Sequence, residues 1–197
     1  MTLILNLVQY EAEEGCAFMV GIAVAVLVLL GMTFCVVPVV AYRFGDAAER
    51  AAEAAVEAQG VSARVLAEHR VQFKESGVEM LLPFGIAVVL FAVAALDVAG
   101  GGVARVLTWI VAGVLLVVGG FVTSGQLMAV RWIQTAFRRS SDPMVRRLDA
   151  ESVVAAAARE FPVWLRPLQF ARFLLTTVGL LVVIVVLATP GAAAHFR

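Results

Sequence analysis

Long apolar runs alternate with polar segments along the chain, at residues 17–41, 78–98, 103–128 and 168–189. Each run approaches or exceeds the ~20 apolar residues that carry an α-helix across roughly 30 Å of hydrocarbon. Helices are required there because, in lipid, each backbone polar group must find its partner within its own segment. A transmembrane barrel would instead show short stretches of alternating polarity, and the sequence contains none. The pattern predicts an all-α protein, an integral membrane four-helix bundle with helical cytoplasmic extensions.

The polar segments differ in length and character. Residues 99–102 form a short outer turn within Asp97-Val98-Ala99-Gly100-Gly101-Gly102, where consecutive glycines accept positive φ without steric cost. Residues 42–77 are rich in Ala, Glu and Arg, all strong helix formers, and predict a cytoplasmic amphipathic helix. Ala47, Ala51, Ala54, Ala58, Val61 and Val65 recur there at intervals of four and three, as a short seam or the apolar face of an ordinary helix. Residues 129–167 continue the third helix as far as Arg139, then break at Ser140-Ser141-Asp142-Pro143. Asp142 suits an N-cap and Pro143 a first helical position, predicting a helix over 143–161. The chain then returns to the membrane surface, with Trp164 and Trp132 as headgroup-level anchors.

Charge sets the orientation. Residues 42–77 carry Arg43, Arg50, Arg64, Arg70 and Lys74, and residues 129–167 carry seven arginines. Arg172 lies at the same end and can snorkel to the interface. Only Arg105 and Arg197 lie at the opposite end. Positive charge stays inside, so both long segments are expected in the cytoplasm and both termini outside a plasma membrane. Lys74 is the only lysine, a bias compatible with a GC-rich bacterial genome. Residues 1–16 predict an outer-surface segment with Glu11, Glu13 and Glu14 towards water, and residues 190–197 an outer tail. No basic residue precedes Arg43, so the n-region of a signal peptide is missing.

Composition sharpens this picture: 62% of residues are hydrophobic and 15% charged, with mean hydropathy +0.96. A formal net charge of zero supplies no field to attract nucleic acid. No phosphate loop, dinucleotide fingerprint, nucleophile elbow or zinc-protease motif is present, so no cofactor is expected. His69 and His195 are predicted on opposite sides of the membrane and cannot share a metal. Cys16 and Cys35 are separated by about 28 Å of helix, too far for a disulfide.

Candidate chemistry rests on Glu79 and Asp97, the carboxylates inside the apolar runs, because intramembrane ionisable groups are costly and often functional. Pro83 cannot donate to the Glu79 carbonyl, and a kink there would leave a carbonyl beside a carboxylate, suited to a cation or proton. The plain alternative is a pair of interfacial carboxylates. Small residues repeat every four positions at Ala17, Gly21 and Ala25, and at Gly120 and Ser124, faces that let helices approach closely. Thr123, Gln126, Thr176 and Thr177 add polar groups for packing. The acidic stripe Glu49, Glu53, Glu57 is matched by Arg138, Arg139, Arg146 and Arg147. They could dock the cytoplasmic segments within one chain or between neighbours, or form a solvated face.

The expected function is a non-enzymatic polytopic membrane protein, an interaction or accessory subunit of a larger assembly or a homo-oligomer, with the lipid bilayer and a protein partner or second copy as contacts. An oligomeric ion or small-solute channel or transporter is the alternative, and a membrane-embedded enzyme without a recognisable motif the third.

Overall fold

The computed structural model describes residues 2–74 and 77–196, without the side chains of residues 2–14, 16, 126 and 127. Glu11, Glu13, Glu14, Cys16 and Gln126 therefore fall outside the described side chains, and Arg197 outside the described residues. All regular elements among the described residues are helical, and four helices are long and apolar enough to cross a membrane.

Helix α1 runs unbroken over Thr2–Glu57, 56 residues. This joins three segments that the sequence pattern separates: the outer-surface piece, the first span and the amphipathic helix. The junction near residue 42 holds only one helix-weakening residue, Gly45, which costs about 1 kcal/mol in a helix interior, and the alanine-rich stretch beyond it propagates the turns. Pro38 lies inside α1 and withholds the N–H that would bond the Phe34 carbonyl. The helix stops where Gly60 takes φ +79°. The remaining helices are α2 (Arg64–Glu68), α3 (Leu81–Ala99), α4 (Gly102–Leu127), α5 (Ala129–Arg138), α6 (Ala150–Arg159), α7 (Leu165–Leu174), α8 (Leu180–Ala188) and α9 (Pro190–His195). A π-helical turn, Leu175–Gly179, joins α7 to α8.

The chain divides into two compact units. The first comprises Met1–Phe34, Phe84–Thr123 and Ala171–Arg197. Buried residues recur along its helices at intervals of three and four: Val20, Ala23, Leu27, Leu30 and Phe34 on α1, and Leu180, Val183 and Leu187 on α8. That spacing puts one stripe of each helix inward. The helices meet where side chains are small. A Cβ on Gly31 would lie 2.7 Å from the Phe91 ring, one on Gly119 2.9 Å from Thr176 Cγ2, and one on Gly179 3.0 Å from Val26. The chain reverses between α3 and α4 through two glycines of positive φ, Gly100 at +80° and Gly101 at +103°.

The second unit comprises Cys35–Pro83 and Ser124–Phe170. Its core joins Ala48, Ala52 and Val56 of α1 to Phe137 of α5, Val153 and Ala157 of α6, and Leu148 between them. The buried stripe is thus one position away from the predicted seam: Ala54 and Ala58 are exposed, whereas Val61 and Val65 do pack inward. Asp142 Oδ1 accepts from the Met144 N–H at 2.8 Å, but only a turn of 3-10 helix follows, Val145–Arg147. Leu148 then extends (ψ 134°) to bury its side chain, and Asp149 becomes the N-cap of α6 by accepting from Glu151 N–H. The helix predicted from residue 143 therefore begins at Ala150. Gln59 fastens the end of α1 to this cap: its Oε1 accepts from Asp149 N–H at 2.8 Å and its Nε2 donates to Ser152 Oγ at 2.9 Å. Gln134 on α5 grips the same connection, donating to the Leu148 carbonyl and accepting from Ala150 N–H.

Candidate functional site

In the first unit, Asp97 is placed by the last turn of α3, where the Gly100-Gly101 reversal brings α4 back alongside. Its side chain is fully buried. Oδ1 accepts from Thr108 Oγ1 on α4 at 2.7 Å. The Thr108 hydroxyl also lies 3.0 Å from the Ala104 carbonyl, so one proton faces two acceptors. Oδ2 has no hydrogen-bond partner among the described residues. His195, at the end of α9, completes the cluster, its Nε2 lying 2.8 Å from the Asp97 carbonyl oxygen and donating to it. Gly100 makes room for this return, because a Cβ there would lie 3.0 Å from the His195 carbonyl. Thr189 starts α9 by accepting from Ala192 N–H, with Pro190 at the position where a missing donor costs nothing.

Arg105, also on α4, donates to the Leu187 carbonyl at 2.8 Å, and its guanidinium lies 4.7 Å from the Trp109 ring centroid. Its charge is thereby directed to a carbonyl and a ring. Arg172 is buried, with its guanidinium 4.7 Å from the Phe34 ring centroid. Thr176 in the π-helical turn donates to the Arg172 carbonyl at 2.7 Å.

The other candidate positions are dispersed. Glu79 is exposed in the turn preceding α3. Pro83 lies in the first turn of α3, where its missing N–H breaks no intrahelical bond, so the expected kink at a carbonyl beside Glu79 does not form. Ala17, Gly21 and Ala25 are exposed, and a Cβ on Gly21 would meet nothing within 4 Å. Gly120 and Ser124 are half-buried, while α4 makes its tighter approach one position earlier, at Gly119. Glu49 and Glu53 are half-buried, and Glu57, Arg138, Arg139, Arg146 and Arg147 are exposed. None of these forms an ion pair among the described residues, where the one pair within 4.0 Å is Lys74–Asp46 at 2.7 Å. That hydrogen bond, and then the Asp46 charge, hold the Lys74 ammonium above its ordinary pKa. Apolar contact and the Gln59 hydrogen bonds, not ion pairs, hold the two polar segments together within the chain.

Among the described residues no group of three His, Cys, Asp or Glu side chains is placed to hold a metal ion. Cys35 carries a free thiol. Sequence reasoning missed Thr108, whose role follows only from the α3–α4 pairing, and Gln59 and Gln134, which look like ordinary polar helix residues. No protein-family model matches the sequence, and no curated protein or solved structure matches it significantly.

Proposed function

We propose that the chain is a non-enzymatic polytopic membrane protein, placed in a plasma membrane with its two polar segments cytoplasmic, that acts by association as an accessory subunit or homo-oligomer. The observation that carries this reading is the outward-facing Ala17, Gly21, Ala25 stripe. A helix face that meets only lipid has no need of small residues, whereas a face that meets another helix gains close van der Waals contact from them. The exposed arginines Arg138, Arg139, Arg146 and Arg147 offer the polar side of the same association, with the Glu49, Glu53, Glu57 stripe of a neighbour as one complement. The interior of the first unit is filled by Leu27, Leu30, Leu90, Leu180 and Leu187, which speaks against a pore through a single copy. The test is native mass spectrometry of the protein extracted in mild detergent, beside a Gly21→Leu variant. Another polypeptide or a second copy at fixed ratio, lost in the variant, is expected. A monomer from both preparations would end this reading.

A second reading, a channel or transporter assembled from several copies, is favoured by Asp97. A buried carboxylate oxygen without a partner is costly in an apolar medium and suits a transient cation or proton. Ion flux into proteoliposomes that is abolished by Asp97→Asn would support it, and flux unchanged by that substitution would remove Asp97 from any pathway.

A further inference from the structure

The second unit contains an open groove of about 1040 Å³, just above the ~300–1,000 Å³ typical of small-molecule sites. Its apolar wall is built from Val37 and Ala41 of α1, Val130 of α5, and Phe161, Val163 and Leu165 of the segment entering α7. Among the described residues its polar rim carries three cations, Lys74, Arg159 and Arg166, and no carboxylate. Lys74 is paired with Asp46, whereas Arg159 and Arg166 are exposed and have no ion-pair partner among the described residues. The groove thus joins an apolar floor to two guanidinium groups that have no ion-pair partner among the described residues, and guanidinium is the side chain suited to bidentate contact with an anion.

The elements around it indicate what the occupant is. Val37 and Ala41 belong to the span Ala17–Glu57, and Leu165 begins the span Leu165–Ala188. Trp132 and Trp164 stand exposed on the same unit, 62% and 48% accessible, as rings that reach the headgroup layer do. A soluble anion would use the arginines and leave the apolar floor bare. An acyl chain alone would leave the arginines without a counter-charge. We propose that this groove is a binding site for an anionic phospholipid, with the phosphate between Arg159 and Arg166 and the upper acyl chain along Val37, Ala41, Phe161 and Leu165. Basic pockets between membrane helices recognise acidic headgroups in this way.

The experiment titrates the delipidated full-length protein in detergent with phosphatidylglycerol or phosphatidylcholine of identical acyl chains and counts bound lipid by native mass spectrometry. Each arginine near the headgroup is worth about fivefold in affinity. Arg159→Gln with Arg166→Gln should therefore weaken phosphatidylglycerol binding by about 25-fold and leave phosphatidylcholine almost unchanged. Arg50→Gln with Arg64→Gln, an equal loss of charge outside the groove, should leave the preference intact. Both sites are exposed, so both double variants should unfold as the parent does. Equal affinity for the two lipids would overturn the proposal, and so would equal losses from both double variants. Displacement of phosphatidylglycerol by millimolar inorganic phosphate would also overturn it, by showing a site for the free anion.

Discussion

Gly45 offers a test in which two physical effects of opposite sign act on one methyl group. It lies in the interior of α1, buried against the segment that carries Phe73 and Lys74. A Cβ there would sit 2.7 Å from Lys74 Cα and 3.1 Å from the Phe73 carbonyl oxygen. Both are backbone atoms, which cannot swing aside as a side chain would. Replacing glycine by alanine in a helix interior contributes about 0.8–1 kcal/mol of propensity. Forcing an extra methyl into a packed site costs about 1–3 kcal/mol. The net expectation for Gly45→Ala is a destabilisation of about 1 kcal/mol. Gly113 on α4 supplies the comparison, because a Cβ there meets nothing within 4 Å. Gly113→Ala should therefore stabilise by up to about 1 kcal/mol, the propensity effect alone. Unfolding by SDS in mixed micelles would be followed by tryptophan fluorescence, Trp132 and Trp164 reporting the second unit and Trp109 the first. If Gly45→Ala stabilises its unit as Gly113→Ala does, the close approach of α1 to residues 73–74 is wrong.

Arg70 takes φ +54° at the end of α2, where Val71 N–H bonds the Leu66 carbonyl and Arg70 N–H the Ala67 carbonyl. This is the position of a helix C-cap that glycine usually fills, so Arg70→Gly should stabilise the second unit by about 1 kcal/mol in the same unfolding assay, and Arg70→Ala should not. Lys74 gives a pH prediction. Its pKa is raised by the Asp46 hydrogen bond and charge, so the contribution of the pair is fully present below the ordinary value of 10.5 and fades as pH rises through the higher folded value. Unfolding midpoints of the parent and Lys74→Met should differ near neutral pH and converge in strong alkali, with the gap narrowing in salt. Curves that separate with rising pH would contradict this.

The four long apolar helices were legible in the sequence because their causes are local. An apolar run of sufficient length needs no partner to declare itself, and Gly100-Gly101 declares a reversal because positive φ costs glycine nothing. The same holds for the N-cap chemistry of Asp142, although the helix expected after it was displaced to Ala150. There the local cap preference lost to the burial of Leu148, a decision made by the core around Phe137. Helix α1 was divided at residue 42 on the change from apolar to charged composition, yet backbone continuity depends on propensity, which barely changes there. Its buried stripe was misplaced by one residue because alanine occupies every face of that stretch, leaving periodicity with little to discriminate.

The candidate site was legible only as residue types. Sequence alone established that Glu79 and Asp97 stand near the ends of an apolar run. Which of them is buried was decided by elements distant in the chain: Thr108 arrives through the α3–α4 turn, and His195 through α9, 98 residues from Asp97. The small residues Ala17, Gly21 and Ala25 were likewise evident, but only the packing of the first unit decided that they face outward while Gly31 and Gly119 carry the internal contacts. Arg159 and Arg166 were two arginines among many until α6 and the entry to α7 set them on one rim. Hydrophobicity and propensity act along the chain and can be read from it. Burial, pairing and the shape of a groove depend on what the rest of the chain places beside each residue, and those only the tertiary structure decided.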